Sequence, residues 1–297
     1  MLWGIDLGGT KIECAVLESP TSSRALTRQR IETQAEKGYA HILAQIKRLV
    51  DDVADTLGKR PTKIGVGTPG ALEPSTQTLK NSNTVCLNGK PFKRDLEQVL
   101  GVPIKIANDA NCFALAEARL GAAKGASVVF GVIMGTGVGG GIVVDGKVIG
   151  GRQGIAGEWG HNVLEENGEL CYCGKRGCVE TVLSGVWLEK FYQARSGESR
   201  KLKDIVERHR LGTDENATLT IKRLTENFGK AIAVVINILD PDVIVLGGGV
   251  GNIDLLYGEG VEEAKKHVFN HKLETAIVKP ILGDSAGVFG AAMLVAE

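Results

Sequence analysis

Apolar positions change their period several times along the chain. "LWGID" (2–6) is a short apolar run, "LGGT" is a turn, and "KIECAVLE" alternates as a second strand would. Ile42, Ile46, Leu49, Val50, Val53 and Leu57 then recur at three- and four-residue steps, which predicts a helix with one apolar face. Gly58 stands where that helix needs a closing residue. "KIGVGTPG" and "VPIKIANDAN" predict two more strands, and "CFALAEARLG" predicts a helix entered from Asp109. On spacing alone, Asp109 reads as the N-cap of that helix.

Near residue 128 the pattern restarts. "VVFGVIM" reads as a strand, "GTGVGG" as a turn, and "GIVVDGK" as a strand again. This unit echoes residues 2–18, as two similar domains would. Helices follow around 184–195 and 218–239, then a buried strand in "DVIVLGGG" and a small-residue helix in "SAGVFGAAMLVAE". Strands alternating with helices predict an α/β fold.

Composition narrows the partners. The 297 residues suit one large domain or two medium ones. Lys plus Arg equals Asp plus Glu, 35 against 35, so charge gives no support for nucleic acid or an anionic membrane as partner. No secretion signal is readable, and the longest apolar run, "AIAVVINIL", is too short to span a bilayer. The expectation is a cytoplasmic chain with reduced thiols, in which clustered cysteines hold metal rather than disulfides. The sequon "NAT" (216–218) then carries no meaning, and the scattered Trp3, Trp159 and Trp187 offer no stacking platform.

The 40 glycines fall in clusters beside strands, where backbone turns tightly or approaches a ligand. "GTGVGG" (135–140) matches the dinucleotide fingerprint, but a strand follows where that fingerprint needs a helix N-terminus. A glycine hairpin can still cradle phosphate through its N–H groups, and "DLGGT" (6–10) offers a second one. "CYCGKRGC" (171–178) is the sharper signal. Cys171, Cys173 and Cys178 with His161 make a Cys₃His set suited to a closed, structural Zn²⁺ site. Glu158 and His161 are three residues apart, within reach of one ligand, and Glu180 follows the last of these cysteines by two. Cys14 and Cys112 sit in apolar segments and read as core.

Taken in order, "DLGGTK", "GTPG", "NDAN", "GTGVGGG", "GEWGH", "CYCGKRGC" with Glu180, and "DPDVIVLGGG" span nearly the whole chain. The set resembles the ROK family of bacterial sugar kinases and sugar-responsive repressors. "KNSNTVCLNGKPF" and "GEWGHN" look most like its fructokinases, also called mannofructokinases, with N-acetylglucosamine kinases next. The resemblance implies an actin-like (ribonuclease H-like) ATPase fold, with two domains around a cleft: 1–117 plus 283–297, and 118–282 carrying the zinc site. It implies ATP-dependent phosphorylation of a hexose primary hydroxyl, fructose first and mannose second. N-acetylglucosamine kinase and glucokinase are the alternatives within the family. Asp109 becomes the general base. Gly70, Asn83, Asn108, Glu158, His161 and Glu180 are implied to hold the sugar. Asp6, Gly8, Gly9, Thr10, Lys11, Gly135, Thr136 and Gly137 are implied to hold ATP and Mg²⁺. A homodimer is expected. A repressor would carry a helix-turn-helix ahead of residue 6, and a sugar sensor would bind without turnover.

Overall fold

The computed structural model describes residues 1–296. Strands β1 (Leu2–Leu7), β2 (Lys11–Leu17), β3 (Ala25–Glu32), β4 (Ile64–Thr68) and β7 (Ile104–Asn108) form one sheet in the order β3-β2-β1-β4-β7. Between β4 and β7, β5 (Ala71–Leu72) and β6 (Leu79–Lys80) make a separate two-stranded ribbon. Strands β8 (Val128–Met134), β9 (Val138–Val144), β10 (Lys147–Val148), β11 (Val243–Gly247) and β12 (Ala276–Val278) form a second sheet in the order β10-β9-β8-β11-β12. Counted from its own first strand, each sheet has the same order. In both, the first strand runs parallel to the fourth, and the fourth parallel to the fifth. The duplication suggested by the echoing glycine hairpins therefore extends to the whole sheet.

Among the described residues, ten α-helices accompany the sheets: α1 (Tyr39–Leu57), α2 (Phe92–Leu100), α3 (Asp109–Leu120), α4 (Glu180–Leu183), α5 (Gly185–Ser196), α6 (Leu202–Arg210), α7 (Glu215–Leu239), α8 (Gly248–Gly251), α9 (Glu259–Lys265) and α10 (Ala286–Met293). The chain divides into two compact units. The first is Met1–Gly125 with Gly141–Ala156 and Ile281–Glu297; the second is Ala126–Gly140 with Gly157–Pro280.

In the first unit, α1 buries Ile42, Ile46, Leu49, Val50 and Val53 in one core with Trp3, Ile5, Ile64 and Val66 of the sheet. Gly58 closes α1 in the left-handed conformation (φ 61), as its position in the sequence predicts. Cys14 and Cys112 are fully buried, also as expected. The residues of α10 are nearly all buried, and a run of alanines and glycines suits such close packing. In the second unit, the long α7 buries Ile221, Leu224, Phe228 and Ile232 along one stripe. Among the described residues, no helix is long and apolar enough to cross a membrane.

Three differences between the structure and the sequence reading bear on the site. Strand β3 was not foreseen. Its alternating half-buried and exposed residues, "ALTRQRIE", carry too little apolar signal for a sheet-edge strand. Strand β9 begins at Val138, so the second glycine turn is only Gly135–Gly137 rather than 135–140. Finally, Asn108, not Asp109, caps α3: its Oδ1 accepts the N–H of Asn111 at 2.8 Å, and Asp109 is the first helical residue.

Candidate functional site

The first unit brings Asp6 to the end of β1, directly before the glycine turn. Gly8 N–H donates to Lys11 O at 2.9 Å, closing the turn. The residue after β3's end pins it from outside: Thr33 Oγ1 donates to Gly8 O at 2.7 Å, and Thr33 N–H donates to Thr10 O at 2.9 Å. Gly9, Thr10 and Lys11 remain exposed. Asp6, the turn and the Glu13–Arg30 pair line a pocket of about 280 Å³. A Cβ on Gly287 would lie 2.5 Å from Asp6 Oδ2, so only glycine leaves room for that carboxylate.

The Asp109 charge acts on Asp6. Burial pushes the Asp6 carboxyl up to about 6, the Asp109 charge adds to the rise, and Arg30 opposes it. Asp109 stands where β7 passes into α3. It keeps a face open to solvent, yet dense surroundings raise its carboxyl, against the opposing pull of backbone N–H groups. One of these is the N–H of Ala110, which donates to Asp109 Oδ1 at 2.8 Å. Burial, with both carboxylates beside it, pushes the Cys112 thiol far up, so Cys112 is an inert wall rather than a nucleophile. Asn108 lies beside Asp109 as the cap. Gly70 (φ 83) turns the chain between β4 and β5, and Asn83 lies exposed in the loop after β6.

The second unit gathers its own predicted residues. The donor atoms of His161, Cys171, Cys173 and Cys178 all lie within 4.8 Å of one another. His161 Nδ1 is 3.6 Å from Cys171 Sγ, and Cys173 Sγ is 3.6 Å from Cys178 Sγ. Bonds of about 2.3 Å from sulfur to a tetrahedral ion give edges of about 3.7 Å, so these spacings fit. Cys171 and Cys178 are buried, which suits a closed site. The donor set is compatible with structural zinc.

A short turn at Trp159–His161 places Glu158 and His161 together, with Glu158 Oε2 4.0 Å from His161 Nε2. Trp159 anchors that turn. Its indole N–H donates to Gly139 O at 3.3 Å, and its ring meets Phe130 edge-on at 5.9 Å. Glu180 opens α4 and is buried. Its Oε2 accepts the Val138 N–H at 3.0 Å, and its Oε1 lies 3.8 Å from Cys171 Sγ. Gly135, Thr136 and Gly137 form the tight turn before Val138. Gly135 N–H donates to Gly137 O, and Gly135 O accepts the N–H of Gly185 at 2.8 Å. Glu180 thus links the glycine turn to the cysteine knot.

Two neighbours of these sets escaped the sequence reading. Tyr172 Oη lies 3.1 Å from His161 Nε2, the ring nitrogen turned away from Cys171. Tyr172 is largely exposed, yet partial desolvation of its hydroxyl, with Glu180 and Glu158 nearby, pushes its phenol up to about 12. Its place between two metal-spaced cysteines was the available signal. Arg30 belongs to the unforeseen β3 and left none.

The whole chain, residues 2–297, matches the model of the ROK family, and the protein belongs to that family. It is 38% identical to the N-acetyl-D-glucosamine kinase of Aliivibrio fischeri over 99% of both chains. It is equally similar, 38% over 99% of both, to the N-acetyl-D-glucosamine kinase of Vibrio cholerae. Among solved structures, the ROK hexokinase of Thermus thermophilus superposes with a TM-score of 0.88 at 32% identity, covering 99% of this chain and 97% of the other. A ROK family glucokinase from Streptomyces griseus, in complex with glucose and AMPPNP, gives 0.80 at 28%, covering 99% and 98%. The actin-like fold expected from the motifs holds for the chain. The relatives named here are N-acetyl-D-glucosamine kinases, not the fructokinases that the motif likeness put first.

Proposed function

We propose that this protein is an ATP-dependent hexose kinase that phosphorylates the primary hydroxyl of N-acetylglucosamine. The observation that carries the reading is end-to-end similarity to N-acetyl-D-glucosamine kinases, in a chain that also keeps an open-faced Asp109 with a raised carboxyl. Asp109 takes the proton from the hydroxyl as that oxygen attacks the γ-phosphate. A carboxyl raised by its surroundings is a better proton acceptor than an ordinary surface carboxylate. Asp6 serves the Mg²⁺ side of the nucleotide, and the Gly8–Lys11 and Gly135–Gly137 turns present N–H groups to phosphate oxygens.

Asn108, Glu158, His161 and Glu180 hold sugar hydroxyls, with Gly70 and Asn83 completing the set. His161, Cys171, Cys173 and Cys178 hold a structural Zn²⁺. When bound, that ion fixes the tautomer and orientation of the imidazole, leaving Nε2 to carry the proton on the outward side. His161 Nε2 already has a polar neighbour there in Tyr172 Oη, which supports a ring set to donate in that direction.

The test is to incubate the chain with ATP, Mg²⁺ and N-acetylglucosamine and identify the product by phosphorus and proton NMR. A 6-phosphate with stoichiometric ADP is expected. ATP consumption with no sugar phosphate, or phosphate on a ring hydroxyl, would contradict the reading.

A further inference from the structure

The Arg28–Glu13–Arg30 cluster on β2 and β3 has no place in the function described so far. Glu13 is 5% exposed, yet it sits on a sheet face beside a pocket. Two guanidiniums hold it. Arg28 donates from Nε to Oε1, and Arg30 donates from Nε at 2.9 Å and from its Nη2 to Oε2. One carboxylate thus answers two guanidiniums, and the trio keeps a net positive charge.

The two arginines then diverge. Arg28 donates to Ser285 Oγ at 2.8 Å and to Asp284 O at 3.3 Å. Arg30 instead lines the 280 Å³ pocket with Asp6, the Gly8–Lys11 turn and Asp284, and its side chain is 40% exposed. A guanidinium carries five donor hydrogens, so Arg30 has donors to spare beyond those given to Glu13. The pocket combines carboxylates for a cation with Lys11, Arg30 and turn N–H groups for anionic oxygens. Polyphosphate carrying Mg²⁺ needs both signs at close range.

We infer that Arg30 is a phosphate-binding residue of this pocket, taking the polyphosphate of the Mg²⁺–nucleotide, and that Glu13 is the positioning residue that aims it. This rests on the kinase reading above, and it adds a contact from β3 to the glycine-turn set. A planar fork held by a buried carboxylate is pre-oriented, so little freedom is lost when it meets phosphate.

The experiment is calorimetric titration of the full chain with Mg²⁺–AMPPNP and with Mg²⁺–pyrophosphate. Arg30→Met should weaken both by about 10- to 100-fold. Arg30→Lys should recover part of that, since it restores charge without the fork. Arg28→Met breaks the same Glu13 cluster but faces residues 284–285, and it should change either affinity by no more than about twofold. A folded Arg30→Met chain that binds both probes like the wild type overturns the inference. Equal losses in Arg28→Met and Arg30→Met also overturn it, because both would then act only through structure. Arg30-dependent pyrophosphate binding in a chain that phosphorylates no hexose would keep the inference and defeat the kinase reading. Normal hexose phosphorylation with Arg30-independent probe binding would do the reverse.

Discussion

Asn108 Oδ1 accepts the N–H of Asn111 at 2.8 Å, so the cap of α3 is the residue before Asp109 rather than Asp109 itself. The capping work is done next door, which leaves the Asp109 carboxyl available for chemistry. Asp109→Asn should lower turnover by about 10²- to 10⁴-fold while hexose affinity stays within about threefold. Asn108→Ala, besides any loss of hexose affinity, should cost about 1 kcal/mol of stability, visible as a lower Tm. A fully active Asp109→Asn enzyme would remove the base assignment.

The Asp6 carboxyl, pushed up to about 6 in the fold, titrates near 3.9 in an unfolded chain. Between those pH values the unfolded state binds fewer protons than the native state. Through this group, stability therefore falls as pH rises across that window, and the penalty is complete above about pH 7. Asp6→Asn should be more stable than wild type without ligand at pH 7.5, by on the order of 1–3 kcal/mol. The difference should shrink toward pH 4.5. An Asp6→Asn advantage that grows on acidification would contradict the assignment.

Gly137 and Glu180 are tied by space. A Cβ at position 137 would lie 2.6 Å from Glu180 Oε2, the oxygen that accepts the Val138 N–H. Gly137→Ala must therefore push the carboxylate from its place. We expect KM for the hexose to rise about tenfold, one charge-assisted hydrogen bond's worth. An unchanged hexose KM in Gly137→Ala would show that Glu180 does not serve the sugar.

The Cys₃His set predicts one zinc per chain by elemental analysis of protein prepared in zinc-replete medium. Cys178→Ser should lose most of that zinc and lower the Tm, because ligand-held loops fold with their ion. Tyr172→Phe should retain it, since Tyr172 Oη lies on the opposite ring nitrogen from Cys171. Zinc-free wild-type protein with an unaltered Tm would end the structural-metal reading.

Much of the fold was written in apolar periodicity and glycine. The stripe from Ile42 to Leu57 and its Gly58 stop describe α1 almost to the residue, because burial and chain reversal act locally there. Strand β3 was hidden because its outward residues include Arg28 and Arg30, whose partner Glu13 lies on another strand. A charge answered across a sheet looks, in sequence, like a charge in solvent. The Cys₃His cluster was legible because its donors lie close in the chain as well as in space. The Glu180 bond to Val138 was not, since 42 residues separate its ends.

The most direct test of the central claim compares kcat/KM for ADP release on N-acetylglucosamine, fructose, mannose and glucose, with ATP and Mg²⁺. N-acetylglucosamine should lead by about tenfold or more, as a pocket that pairs its acetamido group would require. A lead for fructose or mannose would restore the substrate that the sequence motifs placed first. Zinc-replete, folded protein that releases no ADP with any of the four would contradict the kinase reading itself.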